Sequence, residues 1–451
     1  MKTITCLGAS GTVTGSSFIL SSDSHSPLLI DFGMFQGKDS IPETNNSQIN
    51  FDVHAIEAVL LTHAHIDHCG RLPLLISYGY TGKIYMTKAT RDLVELALYD
   101  SAKIAKMKDK NYPLYTEVEV DRLLTQIVII EYHKPFQIQN YEIQYHDAGH
   151  ILGSSIIEII DPVATDGIRK IVFSGDLGNS PQDIIRPTEL IESADVVIME
   201  TTYGDKDHIK EDTLDIIQNE INIVEKISGT LLMPAFSMDR TQVILHRLNH
   251  LKKEKKIGEY TPVYLDTPMG IRATMIYRQY KSLYNEEASQ HAHDEEIYDF
   301  TGLEMIQDSR QSMQLDRKPG VKIIIAGNGM VTGGRILQHA VKFLPKVNTR
   351  LLLTGYQAED TLGRELEEGS KVIFINDKKI KVRSSVTKIE GLSAHADQPK
   401  LLHWLTNIKH VKKVILVHGE EPSREAFSVL IKEKLDISEV ILPKANEIIS
   451  L

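Results

Sequence analysis

Cysteine is nearly absent from this 451-residue chain, which has only Cys6 and Cys69. A fold held together by disulfides is therefore excluded, and any metal ligands have to come from histidine and carboxylate side chains. Cys69 adjoins a histidine-rich run, but we expect this small thiol to pack as an apolar side chain and not to bind metal.

Long apolar runs are also missing. No stretch approaches the roughly 20 apolar residues that a membrane helix needs. The first residues, MKTITC, predict a strand and lack the charged and apolar regions of a signal peptide. We therefore expect a cytoplasmic protein with no membrane partner.

The chain has no excess of positive charge, since its formal net charge is −11. This balance excludes a protein whose whole surface binds nucleic acid through counterion release, although it allows a local basic cleft. A chain of this length exceeds one comfortable hydrophobic core. Two domains, or one domain with a large insertion, are therefore expected.

The most informative segment that is present is a histidine-rich run after a strand. Residues 58–61 read AVLL, which is typical of a buried strand, and residues 62–70 read THAHIDHCG. Alternate side chains of an extended backbone leave on one face, so His63 and His65 can reach the same ion. Asp67 and His68 are then available for a second ion. Imidazole and carboxylate ligands suit zinc and a site that activates water.

A site for two ions needs further ligands, and three other segments place a suitable side chain after an apolar strand. His150 follows a strand and is flanked by glycines, Asp176 follows the strand-like KIVF at 170–173, and His418 follows KVILV at 413–417. Strand ends are where polar side chains meet at a sheet edge. Asp176 is the residue expected to bridge both ions.

The order of predicted elements indicates two kinds of β structure. Antiparallel strands open the chain and short strands return up to about residue 200, with outer helices, which favours an αββα sandwich. From about residue 207 the pattern changes to strand, glycine-bearing loop and helix, which predicts a parallel, doubly wound sheet. We therefore predict an inserted domain over residues 207–368 within a domain formed by residues 1–206 and 369–451.

These motifs together resemble the metallo-β-lactamase superfamily and, within it, the β-CASP nucleases. The residues that carry the resemblance are Asp31 at a strand end, the HxHxDH run, His150, Asp176, Glu200, His395 and His418. The sequence around the HxHxDH run looks most similar to that of the subgroup that contains the pre-messenger RNA cleavage and polyadenylation endonuclease and its prokaryotic relatives. The fold this implies is α/β, a metallo-β-lactamase αββα sandwich with an inserted doubly wound β-CASP domain.

The resemblance implies a cofactor of two zinc ions, with manganese as the other expected metal. The ligands it implies are His63, His65 and His150 for one ion, Asp67, His68 and His418 for the other, and Asp176 between them. Asp31 would lie behind the ligands and orient a histidine through a hydrogen bond. His418 also favours RNA over DNA, because the DNA-repair members of the family lack a histidine there.

The expected reaction is cleavage of an RNA phosphodiester. Two ions about 3.5–4 Å apart can share a hydroxide, aim it at phosphorus and offset the growing negative charge. The expected catalytic residues are Asp67, His395 and Glu200. His395 would give a proton to the leaving 3′ oxygen, and Glu200 would be the carboxylate paired with it. Endonuclease and 5′ exonuclease modes both stay open.

Single-stranded RNA is the expected partner, held mainly by the inserted domain. The phosphate contacts that the resemblance implies come from Ser393, His395, Arg240, Gly329, Arg335 and Arg364. Glycine-rich turns before helices present backbone N–H groups to phosphates, and arginines add paired contacts. Met238, Asp239 and Asn328 depart from the family pattern, and an acidic side chain at position 239 opposes phosphate binding.

Two other functions use the same metal motif. One is hydrolysis of a small ester, thioester or lactam, against which the inserted domain and His395 argue. The other is a non-catalytic RNA-processing scaffold, and such proteins lose ligands that this chain keeps. No KH-like or S1-like extension is visible, so we expect RNA specificity to be low or to come from a homodimer or another partner.

Overall fold

The computed structural model describes residues 1–37, 45, 49–108, 113–209, 211–294, 296–358 and 360–451. The chain divides into two compact units: unit 1 is Met1–Asp207 with His395–Leu451, and unit 2 is His208–Ala394. The sequence places the end of the insertion at residue 368, whereas unit 2 continues to Ala394. The difference arises because the short strand Ser385–Lys388 pairs with Thr349–Leu353 inside the sheet of unit 2.

The strands and helices are numbered here along the whole chain. The strands are β1 Lys2–Cys6, β2 Phe18–Ser22, β3 His25–Ile30, β4 Ala58–Leu60, β5 Lys83–Thr87, β6 Ile127–Ile130, β7 Phe136–Ile138, β8 Tyr141–Asp147, β9 Ser155–Ile160, β10 Lys170–Phe173, β11 Val196–Glu200, β12 Thr230–Pro234, β13 Val263–Asp266, β14 Leu303–Met305, β15 Lys322–Ala326, β16 Thr349–Leu353, β17 Val372–Ile375, β18 Lys378–Lys381, β19 Ser385–Lys388, β20 Lys413–Val417, β21 Glu439–Ile441 and β22 Glu447–Ser450. The α-helices are α1 Ile66–Cys69, α2 Leu72–Ser77, α3 Lys88–Lys108, α4 Glu117–Gln126, α5 Thr213–Lys226, α6 Arg240–Lys253, α7 Pro268–Gln279, α8 Glu286–Asp294, α9 Ser309–Gln314, α10 Arg335–Phe343, α11 Leu362–Glu367, α12 Gln398–Thr406 and α13 Glu421–Lys434. Within the described ranges, no helix combines the length and the apolar character that crossing a bilayer requires.

Unit 1 contains two seven-stranded sheets. The first has the order β22-β1-β2-β3-β4-β5-β6 and the second the order β21-β20-β11-β10-β9-β8-β7. In the first sheet, β3 to β6 run parallel. In the second, β10, β11, β20 and β21 run parallel. Because β20 lies beside β11, the chain returns to this sheet after building unit 2.

The facing sides of the two sheets form one hydrophobic core. Alternation along β8 buries Tyr141, Ile143 and Tyr145, and these side chains belong to the same cluster as Ile4 and Leu28 of the first sheet. Fully burying such a side chain contributes about 1.5–3 kcal/mol. This core aligns the strand ends of both sheets.

Helices cover the outer faces of unit 1. Trp404 of α12 and Phe427 of α13 pack with Val172 and Leu416 on the outer side of the second sheet. Helix α3 packs on β5 and β6 of the first sheet. The architecture is therefore an αββα sandwich, as the sequence predicts.

Unit 2 is built on a six-stranded sheet with the order β14-β13-β15-β12-β16-β19. All of its strand pairs are parallel. Strands β12 and β15 are buried along their full length, which is the pattern of a parallel sheet covered on both faces. The prediction of a doubly wound α/β unit is confirmed. A separate hairpin, β17 with β18, completes the unit.

Candidate metal centre

The predicted ligands lie where neighbouring parallel strands end. In the second sheet, Asp176, Glu200 and His418 stand at or just after the carboxyl ends of β10, β11 and β20, which therefore present them at one edge. In the first sheet, Asp31 directly follows β3 and the HxHxDH run follows its parallel neighbour β4. Carboxyl ends of parallel strands are the usual location of sites in α/β folds.

One group of predicted ligands contains three histidines and an aspartate. Its members are His63, His65, His150 and Asp176, whose ligand atoms all lie within 4.8 Å of one another. Nδ1 of His65 lies 3.2 Å from Nε2 of His63 and 3.2 Å from Nε2 of His150. Tetrahedral zinc with bonds of 2.0–2.1 Å separates its ligand atoms by about 3.3 Å, so the spacing fits one zinc ion.

The second group is Asp67, His68 and His418, whose ligand atoms also lie within 4.8 Å of one another. Asp176 faces both groups. Its Oδ2 lies 3.4 Å from Nε2 of His63. Its Oδ1 lies 3.3 Å from Nε2 of His68 and 3.6 Å from Nδ1 of His418. The two oxygens of one carboxylate are thus directed at two adjacent sets of ligands.

Two buried polar atoms of this centre have no hydrogen-bond partner among the residues that the structure describes: Oδ1 of Asp176 and Nε2 of His418. Orphaned buried polar atoms are rare and call for an ion or another partner. Burial alone would raise the pKa of Asp176, but His418, His68 and His63 outweigh it and hold this pKa well below its usual value. A charged carboxylate among imidazoles is a donor set that fits zinc or manganese.

Asp31 lies behind the ligands and contacts one of them. Its backbone has a φ of 56°, and its carboxylate accepts hydrogen bonds at 2.8 Å from the backbone N–H and from the hydroxyl of Thr62. Oδ2 of Asp31 lies 2.7 Å from Nδ1 of His68. Burial alone would lower the pKa of His68, but Asp176 and Asp31 outweigh it and raise this pKa. A proton shared on Nδ1 leaves Nε2 of His68 to face Asp176 and an ion.

His418 is fixed by backbone contacts on both sides. Its N–H donates to the carbonyl of Ala9 at 2.7 Å, and its carbonyl accepts from the N–H of Thr201 at 3.1 Å. The hydroxyl of Thr202 lies 3.0 Å from Nδ1 of His418. The ligand that arrives last along the chain is therefore held by two distant segments.

Two glycines allow the ligand loops to pack directly on each other. A Cβ on Gly33 would overlap the carbonyl of Asp67, and a Cβ on Gly178 would overlap the carbonyl of Gly149, next to His150. Only glycine permits such a close backbone approach. These glycines, with Thr62 and Thr202, are site residues that the sequence did not reveal. Thr62 had the clearest available signal, because it directly precedes the HxHxDH run.

His395 lies beside the ligands and contacts Glu200. Nδ1 of His395 lies 3.3 Å from Oε1 of Glu200 and 3.9 Å from Oδ2 of Asp176. Glu200 is buried and accepts hydrogen bonds from the N–H groups of Leu177 at 2.6 Å and Thr202 at 3.2 Å. Burial alone would lower the pKa of His395, but Glu200 and Asp176 outweigh it and raise this pKa to about 9. With 21% of its side chain exposed, His395 is accessible to a molecule from solvent.

Arg335, expected to contact phosphate, is largely engaged by protein acceptors of unit 2. Its Nη1 donates to Oδ1 of Asp266 at 2.6 Å and to the carbonyl of Ile306 at 2.8 Å. Its Nη2 donates to the carbonyl of Gln307 at 2.6 Å. These bonds leave Arg335 fewer donors for a phosphate than the resemblance implies.

The remaining expected phosphate contacts also belong to unit 2. Arg240, the first residue of α6, is buried and 7% exposed, while Ser393 is half-buried. Gly329 packs on the ring of Phe236, where a Cβ would come within 2.7 Å of a ring carbon. Arg364 is half-buried and donates to Glu368 at 2.7 Å. The structure therefore places the predicted metal ligands, Glu200 and His395 in unit 1, whereas Arg240, Gly329, Arg335, Arg364 and Ser393 belong to unit 2.

Three family models match successive parts of the chain. A Metallo-beta-lactamase superfamily domain matches residues 19–203, and a Beta-Casp domain matches residues 241–366. A Zn-dependent metallo-hydrolase RNA specificity domain matches residues 379–443. The third region contains His395 and His418, and the first contains the other predicted metal ligands and Glu200.

 All seven predicted metal ligands thus fall inside the first and third matched regions.

Two curated relatives match nearly the whole chain. A ribonuclease of Thermus thermophilus is 34% identical over 429 residues, which cover 94% of this chain and 94% of the relative. An RNase J-like protein of Methanocaldococcus jannaschii is 32% identical over 418 residues, which cover 91% of each chain. The transcription termination factor FttA of the same organism is 29% identical over 407 residues, covering 87% of this chain and 63% of that protein.

A solved structure supports the fold. The crystal structure of a protein of unknown function from Enterococcus faecalis V583 matches with a TM-score of 0.57 and 13% identity, covering 100% of both chains. The family models agree with the αββα sandwich and its insertion, and the two full-length relatives match across both. The chain belongs to the β-CASP family of the metallo-β-lactamase superfamily and is a metallo-hydrolase.

Proposed function

We propose that this chain is a two-zinc phosphodiesterase that cleaves RNA. The observation that carries the proposal is the orientation of Asp176, whose two oxygens face His63 and His68 in two separate ligand groups at 3.4 and 3.3 Å. Two zinc ions held by these groups would supply a Lewis-acid centre that activates water for attack on phosphorus. A single ion would need only one of these oxygens.

RNA as the substrate is supported by the relatives. One relative that matches over 94% of its length is named a ribonuclease, and the next is named RNase J-like. The family model that contains His395 and His418 is described by RNA specificity. These names concern other proteins, and they favour RNA here because both matches extend over more than nine-tenths of this chain.

His395 supplies the proton for the leaving 3′ oxygen in this proposal. Glu200 lies 3.3 Å from Nδ1 of His395 and is itself held by two backbone N–H groups, so it keeps the imidazole oriented and favours its cationic form. An imidazolium beside the attacked phosphorus can protonate the departing oxygen, which leaves the phosphate on the 5′ side of the other product. Asp67 contributes as a ligand of the second group.

A basic hairpin in unit 2 offers contacts for the RNA backbone. In the pairing of β17 with β18, Val372 lies opposite Lys381 and Phe374 lies opposite Lys379. The intervening residues, Ile373 among them, are buried in the core of unit 2. Alternation therefore places the two apolar side chains and the two lysines together on the outer face, where 62% of Phe374 is exposed.

Exposed cations outnumber the one carboxylate of this hairpin, Asp377. The exposed cations are Lys371, Lys378, Lys379, Lys381 and Arg383. In the part of the chain that the structure describes, none of them makes an ion pair within 4 Å. An unbalanced basic face on a chain of net charge −11 suits phosphates, and an exposed phenylalanine can stack on a base.

The test is incubation of the zinc-loaded protein with 5′-labelled single-stranded RNA, with DNA of the same sequence and with a lactam. We expect cleavage of RNA, and we expect a His65→Ala variant to lose both activity and bound zinc. A variant of an exposed histidine outside the centre, His403→Ala, is the matched control and should behave as the unchanged protein. RNA that stays intact, or that the His65→Ala variant cleaves equally well, would refute the proposal. Turnover of the lactam alone would support a small-molecule hydrolase instead.

A circular single-stranded RNA distinguishes the two modes of cleavage. An endonuclease linearises it, whereas a 5′ exonuclease needs a free end and leaves it intact. The lengths of the labelled products on linear RNA provide the same distinction independently. Both outcomes are compatible with one metal centre, because the ligands activate water in either case.

A further inference from the structure

A second cluster of histidine and carboxylate side chains lies in unit 1, outside the centre described above. Its members are His133, in the turn between β6 and β7, His146 on β8, and Glu189, in the segment between β10 and β11. Their ligand atoms all lie within 4.8 Å of one another. No short sequence motif joins them, because the three residues come from separate segments.

The spacing of this cluster matches that of the central ligands. Nε2 of His133 lies 3.1 Å from Oε1 of Glu189, and Nδ1 of His146 lies 3.6 Å from Oε2 of Glu189. In the centre, Nδ1 of His65 and Nε2 of His63 are 3.2 Å apart. Both sets of distances are close to the separation of about 3.3 Å between ligand atoms on tetrahedral zinc.

His146 is oriented for coordination by a further carboxylate. Its Nε2 lies 3.5 Å from Oε2 of Glu158, whose other oxygen lies 2.8 Å from Nζ of Lys170. Nε2 of His146 has no hydrogen-bond partner among the described residues, and the nearby carboxylate of Glu158 favours the tautomer that carries the proton on Nε2 and presents the lone pair of Nδ1. Nδ1 of His146 is the atom that faces Glu189.

The backbone holds the other two members against β8. The N–H of His133 donates to the carbonyl of Tyr145 at 3.0 Å, and the N–H of Glu189 donates to the carbonyl of Asp147 at 2.9 Å. The indole of Trp404 donates to the carbonyl of Glu189 at 2.9 Å. The three candidate ligands are therefore held together by main-chain contacts and not only by their own side chains.

We propose that His133, His146 and Glu189 bind a third divalent ion of the zinc class, separate from the two ions of the central site. Two imidazoles and one carboxylate are a three-ligand set that leaves a fourth position open to water. Of the three side chains, that of His133 is 54% exposed and that of Glu189 is 30% exposed, so the ion is reached from solvent.

An ion at this position would stabilise the loop that carries His150. Thr188, next to Glu189, donates through its hydroxyl to the carbonyls of Ala148 at 3.0 Å and Gly178 at 3.3 Å. The segment that contains Glu189 thus lies behind the loop of His150. Fixing Glu189 to β8 through a metal ion restrains this segment without adding a residue to the reaction.

The experiment compares the metal content of the whole chain and its variants after dialysis against buffered zinc. The unchanged protein should retain three zinc ions per chain by mass spectrometry of the metal. His133→Gln and Glu189→Gln should each retain two zinc ions. Glu158→Gln should lower the affinity for the third ion by about 10–100-fold, since it removes the charge of the carboxylate beside His146. His250→Gln is the matched control, because it removes a histidine paired with a glutamate at 3.0 Å without a third ligand.

The central site is tested separately, so that the two proposals can fail independently. An Asp176→Asn variant should lose central zinc and keep the third ion, while His133→Gln should keep the two central zinc ions. Cobalt can replace zinc, and its visible absorption should show a component that disappears only in the His133 and Glu189 variants. Two ions in the unchanged protein, or a third ion that persists in both variants, would overturn the inference. A plain ion-paired cluster is then the correct description.

Discussion

Asp31 shows how one carboxylate organises the centre without being placed to bind an ion. Its left-handed backbone, with φ of 56°, turns the side chain back towards Thr62 and His68. One oxygen accepts the N–H of Thr62, and the other is shared between the hydroxyl of Thr62 and Nδ1 of His68. The carboxylate of Asp31 thus holds both His68 of the HxHxDH run and Thr62, which directly precedes that run.

Asp31→Asn should weaken zinc binding by about 10–100-fold, because the amide removes the negative charge behind His68. Asparagine tolerates the left-handed backbone, so the fold should persist. Competition with a fluorescent chelator measures the affinity, and circular dichroism checks the fold. Asp23→Asn, at an exposed carboxylate that pairs with the N-terminal amine, is the control. Equal affinity in the Asp31 and Asp23 variants would contradict the role of Asp31.

His395→Ala should lower kcat on RNA by about 10²–10⁴-fold, the usual contribution of a proton donor, with bound zinc unchanged. A phosphodiester with a p-nitrophenolate leaving group does not need that proton. The variant should therefore cleave this substrate nearly as fast as the unchanged protein. Glu200→Gln should show the same selectivity to a smaller extent. Equal losses on both substrates would mean that His395 has a structural role.

Asp266 of unit 2 is a second buried carboxylate that several polar side chains contact. It is fully buried and accepts hydrogen bonds from Ser312 at 2.5 Å and Arg335 at 2.6 Å, and it lies 2.6 Å from Nε2 of His339. Burial alone would raise the pKa of Asp266, but His339, Ser312 and Arg335 outweigh it and lower this pKa below its usual value. The stabilisation from Asp266 is therefore present above the unfolded pKa of about 4 and is lost as pH falls through the lower folded pKa.

Asp266→Asn should destabilise the protein by roughly 3–5 kcal/mol at neutral pH, because it removes the buried negative charge that faces the guanidinium of Arg335. Urea unfolding at a series of pH values measures the effect. The gap between the unchanged protein and the variant should shrink below about pH 4, where the carboxylate of the unfolded chain becomes protonated and that of the folded chain stays charged. Asp299→Asn, at an exposed aspartate, is the control. A gap that is constant with pH would contradict the charge argument.

At the scale of elements, the hairpin of β17 and β18 concentrates cations in a chain whose formal net charge is −11. Its turn consists of Asn376 and Asp377, both with positive φ (47° and 60°), which matches the favoured two-residue hairpin turn. The turn sets the register that places Phe374 opposite Lys379. Changing the charge of this face therefore need not disturb the buried isoleucines on the other side.

Lys379→Glu with Lys381→Glu should weaken binding of single-stranded RNA and reduce its salt dependence. Each lost phosphate contact lowers the slope of log affinity against log salt by about 0.7, so two contacts lower it by about 1.4. The matched control is Lys432→Glu with Lys434→Glu, exposed lysines of α13 with the same change in charge. Fluorescence anisotropy at several salt concentrations measures both. Equal slopes in the two double variants would show that the hairpin does not bind RNA.

The elements also show what a sequence can predict. The HxHxDH run was recognisable because its ligands are contiguous, and the αββα fold followed from strand order. The role of Arg335, the first residue of α10, is not recognisable from the sequence, because its partner Asp266 lies at the end of β13, 69 positions away. The inserted domain is predicted to end at residue 368 while unit 2 continues to Ala394, since β19 has only four residues and is defined by its pairing with β16. Long-range pairing leaves little trace in local sequence.

At the scale of the whole molecule, every predicted metal ligand belongs to unit 1, although unit 2 separates Asp176 from His418 along the chain. A ligand that binds only the folded state stabilises it, by about 2.7 kcal/mol per site at a hundredfold excess over Kd. Zinc should therefore stabilise the sandwich and leave the parallel sheet of unit 2 unaffected.

Removal of zinc with a chelator should increase hydrogen exchange in β10, β11 and β20, which carry or adjoin the ligands. Strands β12, β15 and β16 of unit 2 should keep their protection. Hydrogen exchange followed by mass spectrometry measures both regions in one sample, and restoring zinc should reverse the change. Uniform loss of protection in both units would contradict stabilisation confined to unit 1.

During synthesis, β11 is complete long before its neighbour β20 exists, because roughly 200 residues separate them. At 5–20 residues per second the ribosome takes on the order of 10–40 s to cross that interval. Meanwhile the edge of β11 offers unpaired N–H and C=O groups, which are prone to pair with other chains. His418 is also still missing, so a nascent chain carries most of the metal-binding residues without a finished centre. Translation that stops within unit 2 should therefore release an inert fragment that tends to aggregate, and not a truncated active hydrolase.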